Sequence, residues 1–180
     1  MSEQYLVGSE LLGLTSNKDK DYFIFDDSMN EDYKMVTDKE THIDYFYRKT
    51  AFFNKICNFE IDFKQELRIY SVLYQYDIDI IGQDFPLVFH VLNHKQDFLN
   101  FLNYVVSADV CGFGAFTRKR GTQNSYCVKE IYHIAYLTYI LKNNSTTLTQ
   151  QQKTIIQTIH DRQMPLSFLD ELKAEILNLK

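Results

Sequence analysis

Apolar and polar positions divide the chain into a first half with short strand-like runs and a second half with longer helical stretches. The strand-like runs are rich in aromatic and β-branched residues and are bounded by polar or glycine-containing turns, which is typical of β-strands. They lie at residues 5–7, 21–25, 41–47 and 76–81. Residues 26–40 are acidic and polar, and this composition predicts a loop over the surface.

Elsewhere apolar residues recur every three to four positions, the spacing of a helix with one buried face. Helices are predicted over 49–58, 63–75, 96–108, 128–142 and 149–162, with a last helix after Pro165. In the last helix, Leu169, Leu172, Ile176 and Leu179 form the apolar stripe. The pattern predicts an α/β (α+β) fold with a helical C-terminal half, divided into a core at 1–95 and a helical region at 96–180.

The composition is that of a folded protein, and it argues against a nucleic-acid-coating protein and a membrane protein. The 180 residues are 45% apolar and include only six glycines and two prolines, unlike a linker-rich or disordered chain. The net charge of −5 argues against general coating of nucleic acid, which needs a basic surface. No apolar run approaches a membrane span, no signal region is evident, and three cysteines without a Cys-x-x-Cys pair suit a reducing compartment. We therefore expect a cytoplasmic protein without membrane contact.

The residues most suggestive of chemistry follow the first strand-like run and begin the second. Gly8-Ser9 precedes a short helical segment, where glycine permits close backbone approach and serine caps a helix start that can bind phosphate. Asp19 and Asp21 are two residues apart, so both would project from one face of a strand and could hold Mg²⁺. The alternative, a common helix start beside surface acids at a strand edge, stays open because short motifs often arise by chance.

Asp44, within the third strand-like run, is a possible third carboxylate of the same group. Beside the first two acids it could complete a second metal site or help to deprotonate an attacking hydroxyl. The alternative is a polar strand end that faces water.

With these elements in this order, the sequence resembles the DNA polymerase β-like nucleotidyltransferase superfamily. Its pattern of an apolar residue, Gly-Ser, Asp-x-Asp and a later strand acid is similar to Val7-Gly8-Ser9, Asp19-Lys20-Asp21 and Asp44. The closer likeness is to a branch of predicted nucleotidyltransferases that includes RNA-repair-associated members. That branch carries Gly-Ser-x-x-x-Gly-Leu, like residues 8–14, and Lys-x-x-Tyr-His on a later helix, like residues 129–133. The resemblance covers most of the chain.

The resemblance implies a small mixed sheet and metal-assisted transfer of a nucleoside monophosphate from an NTP to a hydroxyl of an RNA end, a protein or a small molecule. It assigns Asp19, Asp21 and Asp44 to catalysis and to Mg²⁺ or Mn²⁺. Gly8 and Ser9 would cradle the phosphates. Lys129 and His133, at i and i+4 on one helix face, would line the opposite wall of the cleft. For these two residues, a solvated lysine and a core histidine remain the alternatives.

Three positions depart from the family pattern. Glu10 and Tyr136 stand where the family often has arginine, and Lys20 replaces the usual apolar residue between the acids. Without both arginines, fork-shaped phosphate binders are missing. The departures motivate a second hypothesis, in which a catalytically degenerate relative binds a nucleotide or a protein. The basic run Arg118-Lys119-Arg120 could hold a triphosphate or a nucleic-acid backbone, or could simply be solvated.

Overall fold

The computed structural model describes residues 4–8, 13–14, 20–65, 91–108, 128–145, 147–161, 163–165 and 167–179. The chain divides into two compact units, Met1–Phe89 and His90–Lys180. In the described residues, the first unit contains a mixed β-sheet and one α-helix, and the second contains helices. The α+β class, the small mixed sheet and the helical C-terminal half are as predicted. The proposed boundary between residues 95 and 96 stays a prediction.

The described sheet has four strands in the order β1-β2-β4-β3. They are β1 (Gln4–Val7), β2 (Lys20–Phe25), β3 (Tyr33–Asp38) and β4 (Ile43–Arg48). β1 is antiparallel to β2, β2 is parallel to β4, and β3 is antiparallel to β4. After β2 the chain forms β3 at the far edge of the sheet, and β4 then lies between β2 and β3.

One face of this sheet is covered by α1 (Thr50–Cys57). Alternate residues of β2 point to this face, and the rings of Phe23 and Phe25 lie 5.1 and 5.2 Å from that of Phe53, measured between centroids. Phe23 and Phe53 are fully buried, so the helix and the central strand form the core of this unit. The buried Arg48 guanidinium lies over the rings of Phe23 and Tyr33.

Hydrogen bonds define both ends of α1. At the start, Lys49 provides no side-chain cap, and the Asp27 carboxylate instead accepts from the Thr50 backbone N–H at 2.7 Å and from its hydroxyl at 2.9 Å. At the end, Phe59 has a positive φ of 56°. The N–H groups of Phe59 and Glu60 then donate back to carbonyls of the last turn, which closes the helix in a Schellman motif.

The second unit has a 3₁₀ turn at Val91–His94 followed by four described α-helices. They are α2 (Lys95–Ser107), α3 (Val128–Asn143), α4 (Gln150–His160) and α5 (Ser167–Leu177). Helix α3 packs against α2, α4 and α5, and between Ile131 and Leu141 only Tyr136 is partly exposed. A helix that is buried on all sides is the centre of its core.

The connection between α3 and α4 is fixed by backbone and side-chain bonds. Asn144, with φ of 50°, ends α3 in the left-handed conformation, and the Ser145 N–H donates to the Ile140 carbonyl. Thr149 and Gln152 form a reciprocal capping box at the start of α4. The Gln152 amide also exchanges two hydrogen bonds with the Asn143 amide, at 2.8 and 3.0 Å.

Most described elements lie where the pattern predicts them, with one exception. The predicted loop at 26–40 was wrong, because it contains the edge strand β3. Residues 33–37 are all exposed, so β3 lacks the apolar-in, polar-out alternation by which a half-buried strand is recognised. The predicted helix at 63–75 lies largely outside the described residues, and the predicted strand at 76–81 lies wholly outside them. Among the described helices, none is long and apolar enough to cross a membrane.

Candidate functional site

The sheet topology brings three separate pieces of the sequence to one end of the sheet. Because β1 is antiparallel to β2, its C-terminal end adjoins the N-terminal end of β2, and Val7 lies opposite Asp21. Because β2 and β4 are parallel, their N-terminal ends lie together. The Lys20 N–H donates to the His42 carbonyl at 3.0 Å and closes this end of the β2–β4 pair.

Asp21 and Asp44 are direct neighbours on β2 and β4. Adjacent strands are ~4.8 Å apart, and residues in register on them project to the same face of the sheet. Both side chains are half-buried. The two carboxylates, 23 positions apart in the sequence, are therefore side by side in the fold.

Gly8 completes the group from the end of β1. Its φ of +83° lies in the left-handed region that favours glycine, and the carboxylate of Asp21 lies directly against its Cα. A Cβ atom at this position would overlap that carboxylate and would stand 3.0 Å from Asp21 Cγ. Gly8 thus lies close to the Asp21 side chain, and its predicted contact with phosphates stays a prediction.

The two acids share their face of the sheet with the aromatic residues that pack on α1. Asp21 is followed at alternate positions by Phe23 and Phe25, whose rings contact Phe53 toward the other end of β2. Thr37 of β3 lies opposite Asp44 in the same row. The sequence did not point to Thr37, because it predicts a loop at 26–40 and a loop has no partner strand to define a register.

A cation between two carboxylates on neighbouring strands offsets the repulsion of their like charges. Oxygen ligands from one or two carboxylates, together with substrate phosphates and water, are what Mg²⁺ requires. Asp21 and Asp44 therefore suit a magnesium site in chemistry and position. Within the part of the chain that the structure describes, no group of three or more histidine, cysteine or acidic side chains could hold a metal.

Asp38 is a further acid near this end, on the opposite face of the sheet from Asp44. It pairs in register with Ile43, and its Oδ1 accepts from the backbone N–H groups of Glu40 and Thr41, at 2.9 and 3.3 Å. Hydrogen bonds from the Thr41 side chain and from these two N–H groups lower the pKa of the Asp38 carboxyl. Asp38 thus shapes the β3–β4 turn rather than joining the acid pair.

The helix predicted to form the second wall is α3 of the other unit. His133 is 7% exposed, and its ring centroid lies 4.1 Å from that of Tyr132. Tyr132 also contacts the ring of His160, at 5.6 Å between centroids. Tyr136 is partly exposed, while the side chain of Lys129 lies outside the described part. The role of Lys129 and His133 in binding a triphosphate stays a prediction.

Several other predicted site residues fall beyond the described ranges. These are Ser9 and Asp19 of the motif itself, Glu10 among its departures, and the basic run at 118–120. Of the three predicted acids, the structure describes Asp21 and Asp44, which are neighbours in register, and the role of all three stays a prediction.

Comparison of the chain with protein-family models, with curated proteins and with solved structures gives no match. The candidate site consequently rests on the geometry of this molecule and on its sequence motif.

Proposed function

We propose that this protein is a metal-dependent nucleotidyltransferase, which transfers a nucleoside monophosphate from an NTP to an acceptor hydroxyl. The observation that carries the proposal is the placement of Asp21 directly opposite Asp44 on neighbouring strands. The two acids come from separate segments of the sequence. If the motif had arisen by chance, there would be no reason for the fold to place them side by side.

In this proposal Asp21 and Asp44, with Asp19, would hold Mg²⁺ or Mn²⁺, and Gly8 and Ser9 would approach the phosphates. When bound, the metal neutralises charge on the phosphates and orients them for in-line attack. The acceptor oxygen forms a bond to the α-phosphorus, the α–β phosphoanhydride bond breaks, and pyrophosphate leaves. Asp44 either completes the metal site or accepts the proton of the acceptor hydroxyl.

The test is transfer of label from each NTP, labelled at the α-phosphate, to RNA 3′ ends, proteins and small alcohols in the presence of Mg²⁺ or Mn²⁺. We expect Asp21→Asn and Asp44→Asn each to lower transfer by at least ~10²-fold. Asp26→Asn is the matched control, because Asp26 follows the opposite end of β2 and should leave transfer unchanged. Transfer that survives both site substitutions would contradict the proposal.

A binding measurement separates the second candidate function, a degenerate relative that binds nucleotide without catalysis. It is favoured by the Asp21 carboxylate itself, which lies against Gly8 where phosphate would need to approach, and by the exposed Lys20 beside it. Calorimetric titration with a non-hydrolysable NTP and Mg²⁺ should show binding in both cases. Binding that is lost in Asp21→Asn, with no label transfer by the unsubstituted protein, would favour the binding module.

A further inference from the structure

Among the described residues of the first unit, the exposed large apolar side chains all lie on the edge strand β3. Tyr33, Met35 and Val36 are 53%, 58% and 38% exposed, and among the described residues Leu177 alone joins them as an exposed large apolar side chain. Isolated apolar residues on a surface are ordinary. Tyr33 and Met35 project from one face of β3 and Val36 from the other, so exposed apolar side chains flank this edge on both faces and favour contact with another strand.

β3 also has an open backbone edge. Within the described residues β3 pairs only with β4 and its residues 33–37 are exposed, so no described strand pairs with the N–H and C=O groups of its outer side. Such an edge is a template for another extended strand. β3 carries two charges of opposite sign, Lys34 and Asp38, so a strand with complementary charges could pair with it.

The charges of β3 are complementary to those of a second, antiparallel β3. If Val36 lies opposite Val36 of a second copy, Lys34 of each chain lies opposite Asp38 of the other, and Met35 lies opposite Thr37. Opposite charges across an antiparallel pair are favourable, and two such pairs would flank a central apolar contact. The next pair outward, Asp32 with Glu40, lies beyond the strand, and Lys49 Nζ stands 3.9 Å from Asp32.

Neighbouring registers that keep the same faces together are less favourable. A shift by two positions in one direction places Lys34 opposite Val36, which removes the charge pair between Lys34 and Asp38. The opposite shift places the apolar Val36 against Asp38. Of these three registers, the one centred on Val36 alone combines charge pairing with apolar contact.

We propose that β3 pairs with β3 of a second copy about a twofold axis at Val36, which joins the described four-stranded sheets of the two copies into one continuous sheet. Pairing of even-numbered with even-numbered residues keeps equivalent faces together, so both α1 helices lie on the same side of the joined sheet. Since one short edge strand falls below a standard interface of ~1,200–2,000 Å² in total, the dimer should be weak and concentration-dependent. The inference is independent of the proposed activity.

The first test is sedimentation equilibrium of the full-length protein over a wide concentration range. We expect the unsubstituted chain to shift from monomer to dimer, and Val36→Asp, which places two carboxylates at the axis, to remain monomeric. Leu177→Asp is the matched control, because it makes the same kind of change at an exposed position of α5 and should dimerise normally. A circular dichroism spectrum checks that each variant is folded. A monomeric unsubstituted protein, or a dimer that survives Val36→Asp, would overturn the proposal.

Cysteine cross-linking tests the register separately. Under mild oxidation, Val36→Cys should form a covalent dimer faster than Met35→Cys or Thr37→Cys, with the unsubstituted chain and its three native cysteines as background. Preferential linking through position 35 or 37 would indicate a shifted register and overturn the one assigned. Absence of linking above background in all three variants would overturn the pairing itself.

Discussion

At the scale of single residues, the contact between Gly8 and Asp21 restricts position 8 to glycine. Glycine is required there twice, because the backbone has a positive φ and because a Cβ atom would occupy the space of a carboxylate oxygen. The motif in the sequence suggested a glycine that permits close approach. The sequence could not show that the approaching group is an acid of the same motif.

This contact gives a prediction with a matched control within the same chain. Gly13 also has a positive φ, of +71°, but has nothing within 4 Å of its Cβ position. Gly13→Ala should therefore cost only the backbone strain, ~1 kcal/mol of unfolding free energy. Gly8→Ala carries the same strain and must also displace Asp21, so it should lower the melting temperature further and reduce nucleotide binding.

Thermal unfolding and calorimetric titration of the two variants provide the measurement. Equal loss of stability in Gly8→Ala and Gly13→Ala, with nucleotide binding retained in both, would show that the position of Asp21 does not depend on Gly8.

At the scale of elements, α1 depends on a cap that is distant in the sequence. Asp27 follows β2 and reaches the first turn of the helix across 23 positions, while the residue at the cap position, Lys49, makes no side-chain bond. Helix periodicity predicted α1 itself within one residue at each end. Its cap was not predictable, since cap signals are sought immediately before a helix and this carboxylate comes from an earlier turn.

We expect Asp27→Ala to lower the unfolding free energy by ~1 kcal/mol, as for other lost helix caps. Asp27→Asn retains one acceptor oxygen and should lose less. Asp32→Ala is a suitable control, because Asp32 is an exposed acid near the same helix whose ion pair with Lys49 contributes little. Hydrogen exchange of the α1 amides measures the local effect. Equal protection in Asp27→Ala and Asp32→Ala would contradict the assignment of this cap.

The prediction of a loop at β3 failed for a related reason. An edge strand that is exposed on both faces needs no apolar periodicity, and its backbone bonds to β4 alone determine its conformation. β1, β2 and β4 were recognisable from sequence because each carries aromatic or aliphatic residues that the sheet half-buries. Apolar periodicity in a sequence indicates which residues are buried. It therefore cannot predict elements or strand registers that do not depend on burial.

At the scale of the whole molecule, each unit contains a buried group that should make the protein sensitive to alkali. Burial raises the pKa of the Cys57 thiol in the first unit from 9.0 to about 12. In the second unit, burial raises the pKa of Tyr139 from 10.0 to about 12, and the carboxylates of Glu175 and Glu171 add to this shift. Both groups are neutral in the folded and unfolded chain below about pH 9.

Above that pH the unfolded chain releases these protons while the folded chain retains them, so the free energy of unfolding should fall as pH rises from about 9 toward 12. Thermal unfolding across this range measures the effect. Cys57→Ala should flatten the early part of the decline and Tyr139→Phe the later part. A profile that is unchanged in both variants would show that neither group is responsible.

The order of the strands has a consequence for how the protein folds. β3 and β4 are joined by a short turn and form a hairpin. β2 and β4 are parallel, and all of β3 lies between them in the sequence, so their pairing closes a longer loop. Hairpins form in ~1–10 μs, and contacts distant in the sequence form more slowly because a larger loop must close. Asp21 and Asp44 are thus brought together by the slower step. In the proposed function, the metal site should therefore form during refolding with the docking of the hairpin on β2 and not with the first appearance of strand structure.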